Sequence, residues 1–490
     1  MFLTKVQSFF VSPDPRYRPR LSVSEALTNP RLLLSEALAG LVVAIALIPE
    51  AIAFSILAGV DPRVGLFSSF IMAITTSILG GRPAMISAAT AATAIITSPV
   101  ARDYGIEYFL ATVILAGLFQ LILAFAGAAK PMRFIPRSVM IGFVNSLAIV
   151  IFMAQLPHLI DAPFAVYPLV ALGIIVMVLL PKITKVIPAP LVAIVFIMGA
   201  VIIAGINVPT VGDEGELTES LPELMTRNVP LTLETFNIIA PFALVMALVG
   251  LLESLMTAKL VDEITDTHSQ KTGESFAQGV GNVISGFFGG MGGCAMIGQT
   301  MINVKASGAR TRISTFLAGI VLLILVVVLG DIVQGIPMAA LVAVMIMVSF
   351  AKFNFHSLAT STLKRMPKSE TLIMLTTTAV VVWTHNLATG VIVGVVVAMV
   401  AFARSVAHFA NVTRTVGGAD DIEAIYYTVE GELFYACSND LTTQFEYTDD
   451  PNNVIIDVSH SHIWDASTVA ALDTIVTNMN LLVKRSASRA

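Results

Sequence analysis

Charge is scarce in this chain. Of its 490 residues only 28 are Lys or Arg and 33 are Asp or Glu, 12% together, about half the roughly 25% found in soluble domains. That density excludes a nucleic-acid binder, which needs a basic surface to neutralise phosphates. It also excludes a disordered scaffold, which combines high charge with few apolar residues. Cysteine is nearly absent: Cys294 and Cys437 lie in segments of different character and give no disulfide framework. A cleaved signal peptide is not expected, because residues 1–35 are polar and basic with no short apolar run before a small-residue cleavage site. No nucleophile–base pair or metal-ligand cluster stands out, so an enzyme is not expected. His460-Ser461-His462 could clip a metal but reads rather as a surface turn. Gly289–Gly298 is no phosphate-binding loop, since no Gly-Lys-Ser/Thr follows it.

What the chain has in quantity is apolar sequence, 56% of its residues. It falls into fourteen spans near the roughly 20 residues that cross a bilayer. They run over 36–58, 64–80, 84–102, 107–128, 138–157, 164–181, 186–205, 237–259, 272–291, 293–305, 310–330, 331–353, 369–385 and 387–410. With a cytoplasmic N-terminus, fifteen basic residues fall in loops on the inner side, from Arg82, Lys130, Arg133 and Arg137 to Lys364, Arg365 and Lys368. Only Arg63, Arg102 and Arg227 fall on the other. Short basic loops stay inside, so this bias supports fourteen spans with both termini cytoplasmic. The longest outer loop, about 206–236, is acidic, with Asp213, Glu214, Glu216, Glu219, Glu223 and Glu234.

Fourteen is two sevens, and an odd number of spans per repeat turns the second half over in the membrane. The third span of each half is unusual. One opens Arg82-Pro83-Ala84-Met85-Ile86-Ser87-Ala88-Ala89-Thr90, the other Gly289-Gly290-Met291-Gly292-Gly293-Cys294-Ala295-Met296-Ile297-Gly298-Gln299. Both start with small residues and are too short in apolar content to cross as full helices. Interrupted segments at matching places of two halves point to a transporter's binding site. Past residue 411 the composition changes. Residues 420–490 read as a small cytoplasmic α/β module, with strands over Ile422–Val429 and Val454–Val458 and a helix over Ser467–Leu482.

On these residues the chain resembles the sulfate-permease (SulP) anion transporters. Ala39 to Phe54 is similar to the family's opening signature, and Pro62-Arg63-Val64-Gly65-Leu66-Phe67 to its following turn. Ile135-Pro136-Arg137-Ser138 to Phe143 and Gln155-Leu156-Pro157 resemble its fifth span. Gly431-Glu432-Leu433-Phe434-Tyr435 and Ile456-Asp457-Val458 resemble the STAS module these transporters carry. The resemblance implies a transmembrane domain over 36–411, with a core (36–128 and 237–330) and a gate (138–205 and 331–410). It implies an anion site between the starts of the third and tenth helices, a homodimer, and elevator-like movement of core against gate. The expected strand and helix after Leu481-Leu482-Val483-Lys484 are missing, so the STAS-like part reads as truncated.

The physics of helix ends agrees with such a site. A helix start carries unpaired N–H groups and partial positive charge, so two of them facing each other cradle an anion without lysine. Thr90 and Ala91 begin the third helix, and Thr90 offers a hydroxyl. Ala295, Met296 and Ile297 would offer backbone N–H groups, with Gln299 nearby. Some family members carry an arginine at this place; without it the site has no fixed cation. Glu50 and Glu253 are carboxylates in apolar spans, and an intramembrane ionisable group is a functional residue by default. Thr257 lies one turn from Glu253 on the same face. In similar family members an acidic residue and a threonine here serve a coupling cation. An anion meeting these carboxylates needs a proton or Na+ to neutralise the site.

The expectation is a proton- or sodium-coupled symporter of inorganic anions in the inner or plasma membrane. Bicarbonate and sulfate lead, and a dicarboxylate follows. The rival is a passive anion channel or uniporter on the same scaffold. In the tail, Trp464-Asp465-Ala466-Ser467 resembles the place where related modules are phosphorylated; Asp465 or Ser467 could equally cap a helix.

Overall fold

The computed structural model describes residues 23–127, 136–160, 162–183, 188–213, 224, 229–230, 232–328, 330–384, 386–407, 411–417, 424–434, 438–446 and 454–487. Lys130, Arg133, Ile135, Lys185, Arg227, the acidic residues Glu214, Glu216, Glu219 and Glu223, and Ile422, Tyr435 and Cys437 lie outside these residues. Two compact units are distinguished. One takes in the chain to Pro367 with Met374–Val393; the other takes in Lys368–Ile373 and Gly394 onward.

In the first unit a helix stands in each of the fourteen apolar stretches. These are α1 Pro30–Ala58, α2 Pro62–Leu79, α3 Ala91–Tyr104, α4 Ile106–Phe125, α5 Arg137–Met153, α6 Val166–Ile183 and α7 Ala189–Ala204. The second seven are α8 Leu233–Thr265, α9 Lys271–Phe287, α10 Ile297–Met301, α11 Arg312–Val328, α12 Met338–Lys352, α13 Lys368–Thr384 and α14 Leu387–Ala407. The last two extend into the second unit. Among the described residues six helices are long and apolar enough to cross a membrane, and four shorter ones are apolar. The chain is thus a multi-pass membrane protein.

Local signals set the helix ends. Asn29 accepts from the N–H groups of Arg31 and Leu32, with Pro30 in the first turn, and Gly59 at φ +76° closes α1. Asp61 caps α2 ahead of Pro62 in the same way. Around the site α1 packs on α2 and α11, α4 on α8 and α9, and α9 on α2. The helix α12 packs on α5, α6 and α7, and on α1 as well. Met338 and Met345 are buried within this packing and do not face lipid.

Two departures from continuous helix matter. Before α3 the chain runs as a two-residue strand, β1 (Ser87–Ala88), and before α10 as β2 (Cys294–Ala295). After five residues α10 widens into a π-helical turn over Ile302–Ala306, a distortion frequent at functional sites. The tenth span, read as 293–305, is therefore helical only from Ile297. Ala84, buried, holds φ +60°, a conformation that costs a non-glycine residue about 1–3 kcal/mol. Asn303 of the π turn fixes it, donating from Nδ2 to the Ala84 carbonyl at 2.8 Å.

Arg82, counted from sequence as a free loop charge, is instead buried. Its guanidinium pairs with Asp262 at 2.9 Å and also donates to Thr265 and Thr267. Its backbone N–H donates to the buried Glu274 carboxylate. The loop before β1 is thereby stitched to the end of α8 and the start of α9.

The second unit carries a three-stranded sheet ordered β3 (Asn411–Gly417), β4 (Ala424–Leu433), β5 (Val454–Ile463). β3 runs antiparallel to β4, and β5 parallel to it. β3 precedes the residue-420 boundary read from sequence. Its short Asn-Val-Thr-Arg-Thr-Val-Gly run has too few apolar residues to mark it. Tyr427 is buried in the core with Phe445, ring centroids 4.7 Å apart, and its hydroxyl accepts from the Glu446 N–H. His460-Ser461-His462 lies inside β5 and is no turn; no group of three metal-ligating residues occurs among the described residues.

The helices of this unit are α15 (Ser438–Thr443) and α16 (Ala466–Ala487). Asp465 caps α16, its carboxylate accepting from the Thr468 N–H at 3.0 Å and hydroxyl at 3.2 Å, while Ser467 is exposed. Asp465→Ala should therefore destabilise the start of α16 by about 1 kcal/mol. Amide exchange should quicken over the first turn of α16 and not across β4; unchanged exchange would remove the cap from the account.

Candidate functional site

The starts of α3 and α10 are joined by the two short strands. β1 pairs antiparallel with β2, Ser87 opposite Ala295 and Ala88 opposite Cys294. Each helix begins within three residues of its strand, so the pair sets two helix starts beside each other with their chains leaving in opposite directions.

Two of the amides at these helix starts already have acceptors. The Ala295 N–H is taken by Ser254 Oγ of α8 at 3.0 Å, and the Met296 N–H by the Ile86 carbonyl at 2.8 Å. Sequence reading assigned both to the anion; the sheet pairing and Ser254 use them instead, because α10 starts only at Ile297. The first-turn N–H groups of α10, those of Ile297, Gly298 and Gln299, have no acceptor within their own helix. At α3, Thr90 is the N-cap, accepting from the Thr93 N–H at 3.4 Å. The Ala91 N–H is one of the first-turn donors left by that cap.

Beneath this seat lies Glu253 of α8, 3% exposed. Cys294 of β2 donates its thiol proton to Glu253 Oε2 at 3.0 Å, and its Sγ is 3.3 Å from the Thr90 hydroxyl oxygen. The Thr257 hydroxyl donates to the Glu253 backbone carbonyl at 2.8 Å and lies 3.5 Å from the Ala295 carbonyl oxygen. Thr257 thus hydrogen-bonds to main-chain oxygens and makes no hydrogen bond to the Glu253 carboxylate. Glu50, half-buried in α1, accepts from Gln299 Nε2 at 3.0 Å. Gln299 Oε1 is buried without a hydrogen-bond partner. Among the described residues neither Glu253 nor Glu50 has a lysine or arginine as hydrogen-bond partner.

A second ring of polar residues holds the loop ahead of β2. Asn282 of α9 grips Gly293 twice, accepting its N–H at 2.7 Å and donating to its carbonyl at 3.1 Å, and donates to Gln120 of α4 as well. Ser285 accepts from the Gly292 N–H, and Ser68 donates to the Gly292 carbonyl. Gly292 itself sits at φ +67°, where a side chain would be strained. Sequence reasoning missed this ring and Cys294. Polar residues at Asn282 and Ser285 in a weakly apolar span were the available signal.

Two buried, adjoining helix starts within a set of helices long and apolar enough to cross a membrane mark the class, a multi-pass membrane protein. A sequence model of the sulfate permease family matches residues 33–165 and 158–377. The chain belongs to that family and is an anion transporter. The Bacillus subtilis (strain 168) protein YbaR, named for sulfate transport, is 48% identical over 90% of each chain. The fold is similar to murine Slc26a9, an anion transporter solved in the inward-facing state, with TM-score 0.79 and 16% identity over 98% of this chain and 87% of that one. It is also similar to the transmembrane domain of a cyanobacterial bicarbonate transporter, BicA, with TM-score 0.65 and 22% identity over 76% and 98% of the two chains.

Proposed function

We propose that the protein is a secondary-active symporter of an inorganic anion, bicarbonate or sulfate first and a dicarboxylate next, driven by H+ or Na+. The observation that carries this reading is the short link from the paired helix starts to Glu253. An anion settling at Thr90, Ala91, Ile297 and the first turn of α10 comes close to a buried carboxylate. Two negative charges in a low-dielectric interior repel strongly, so a cation must accompany the anion. Protonation of Glu253 supplies one route. Sodium held by Glu253, Thr257 Oγ1 and the Ala295 carbonyl supplies the other, since these are hard oxygen ligands. Glu50, joined to Gln299, is a second carboxylate available for the same purpose. The family is one of transporters, and we assign the chain no enzymatic reaction.

The architecture in this reading is fourteen crossings in two inverted sevens, α1–α7 and α8–α14, with both termini cytoplasmic in the inner or plasma membrane. In support, the third helix of each seven is the one preceded by a short strand. Core helices α1–α4 and α8–α11 carry the site, and they move as an elevator against a gate of α5–α7 and α12–α14. The C-terminal α/β unit is a STAS-like domain and the working form is a homodimer. In that domain Asp465 acts as the helix cap and Ser467 as the accessible hydroxyl for any regulatory phosphorylation.

The test is uptake into proteoliposomes of radiolabelled sulfate, bicarbonate and fumarate under an imposed inward Na+ or H+ gradient. We expect one anion to accumulate above equilibrium with one of the two gradients. Simple equilibration, insensitive to both, would favour a channel or uniporter.

A further inference from the structure

We propose that Cys294 is a positioning residue that makes the state of the coupling carboxylate depend on what Thr90 is bonded to; the proposal rests on Glu253 being that carboxylate. The thiol is fully buried between two groups the transport reading needs, 3.0 Å from Glu253 Oε2 and 3.3 Å from Thr90 Oγ1. No other residue among the described ones has hydrogen bonds to both side chains. Cys294 is held there firmly. Its strand pairs with β1, the preceding Gly293 is gripped by Asn282, and the following Ala295 N–H is fixed by Ser254.

A count of protons gives the link its direction. A thiol has one S–H and a hydroxyl one O–H. An ionised Glu253 only accepts, so the S–H points to Glu253 and leaves Sγ to accept the Thr90 O–H, whose other acceptor within reach is Thr93 Oγ1 at 3.2 Å. The chain then reads Thr90 O–H to Cys294 S–H to carboxylate, and successive hydrogen bonds of one sense polarise and strengthen each other. An anion at the helix starts is itself an acceptor and draws the Thr90 proton towards it. Sγ loses its donor, the S–H becomes a weaker donor, and the ionised form of Glu253 loses part of its support. Glu253 then takes up a cation more readily. Arrival of the anion thus favours binding of the coupling ion, the sign a symporter requires, with no rearrangement of the backbone. Linkage is reciprocal: the cation, once bound, returns the favour to the anion.

The experiment measures uptake in proteoliposomes, using radiolabelled sulfate or bicarbonate, whichever the wild type accumulates, as a function of Na+ concentration and pH. Variants are Cys294→Ala, Cys294→Ser, Glu253→Gln, Thr90→Val and Thr90→Val combined with Cys294→Ala. Losing a hydrogen bond to an ionised group should shift the half-saturating coupling-ion concentration by about tenfold in Cys294→Ala. Cys294→Ser, which keeps a single donor in place, should restore it to within about twofold. Thr90→Val should shift the same quantity several-fold in the wild-type background and by clearly less in Cys294→Ala. A packing role alone would lower maximal uptake and thermal stability without moving the coupling-ion dependence, and that result overturns the proposal. So does Thr90→Val acting equally in both backgrounds. If Glu253→Gln keeps full coupling, the reading of Glu253 fails first and the proposal falls with it. If Glu253→Gln abolishes coupling while Cys294→Ala is silent, only the proposal falls.

Discussion

Glu253→Gln should leave a protein that exchanges its anion and no longer accumulates it. A tenfold ion gradient stores about 1.4 kcal/mol, so 1:1 symport can raise the internal anion about tenfold. In the variant that ratio should fall to one. Glutamine matches glutamate in size, and its amide oxygen can still accept the Cys294 S–H, so folding should survive. It can neither ionise nor take up a proton, and its neutral oxygen is a poor sodium ligand beside a carboxylate. The site is then fixed in a state electrically like the loaded one. Counterflow, in which external labelled anion exchanges with unlabelled anion inside, should therefore persist while gradient-driven uptake does not. Accumulation at the wild-type ratio in Glu253→Gln would sink the assignment and move the coupling role to Glu50.

The placement of the elements was readable because apolar runs of membrane length leave few alternatives. The two interrupted spans were readable because their small residues stand at the same place in each half. What escaped was contact across the sequence. Cys294 sits in a run of glycine and alanine with nothing beside it to mark a function. Its partners are 41 and 204 residues away, and only folding brings them together. The amides of Ala295 and Met296 were assigned to the anion on the premise that the helix starts at the first small residues. The fold spends those residues on strand pairing and starts the helix at Ile297, which shifts the open donors towards Gln299. Arg82 shows the same limit: a basic residue in a loop reads as solvated until Asp262 is found beside it.

Gly293→Ala should abolish transport, lowering uptake by about 100-fold, the order of loss that a displacement of about 1 Å at a reacting centre can cause. A Cβ at this position would overlap the carbonyl group of Ala88 and crowd the Ala89 amide. Ala88 is in β1, and Ala89 leads directly into Thr90, so nothing at the contact is a flexible side-chain end. The two strands must part, and with them the two helix starts and the Cys294 link to Glu253. Overpacking of this kind costs roughly 1–3 kcal/mol or more, so the melting temperature in detergent should fall too. Gly298→Ala is the control. A Cβ there meets no atom within 4 Å, and alanine favours helix over glycine by about 1 kcal/mol. Its melting temperature should hold or rise, and any change in uptake should appear in the Km for the anion, since Gly298 faces open space in the first turn of α10. Gly293→Ala with wild-type uptake and melting would mean that β1 and β2 do not touch in the working transporter. The anion seat would then have to be sought at one helix start alone.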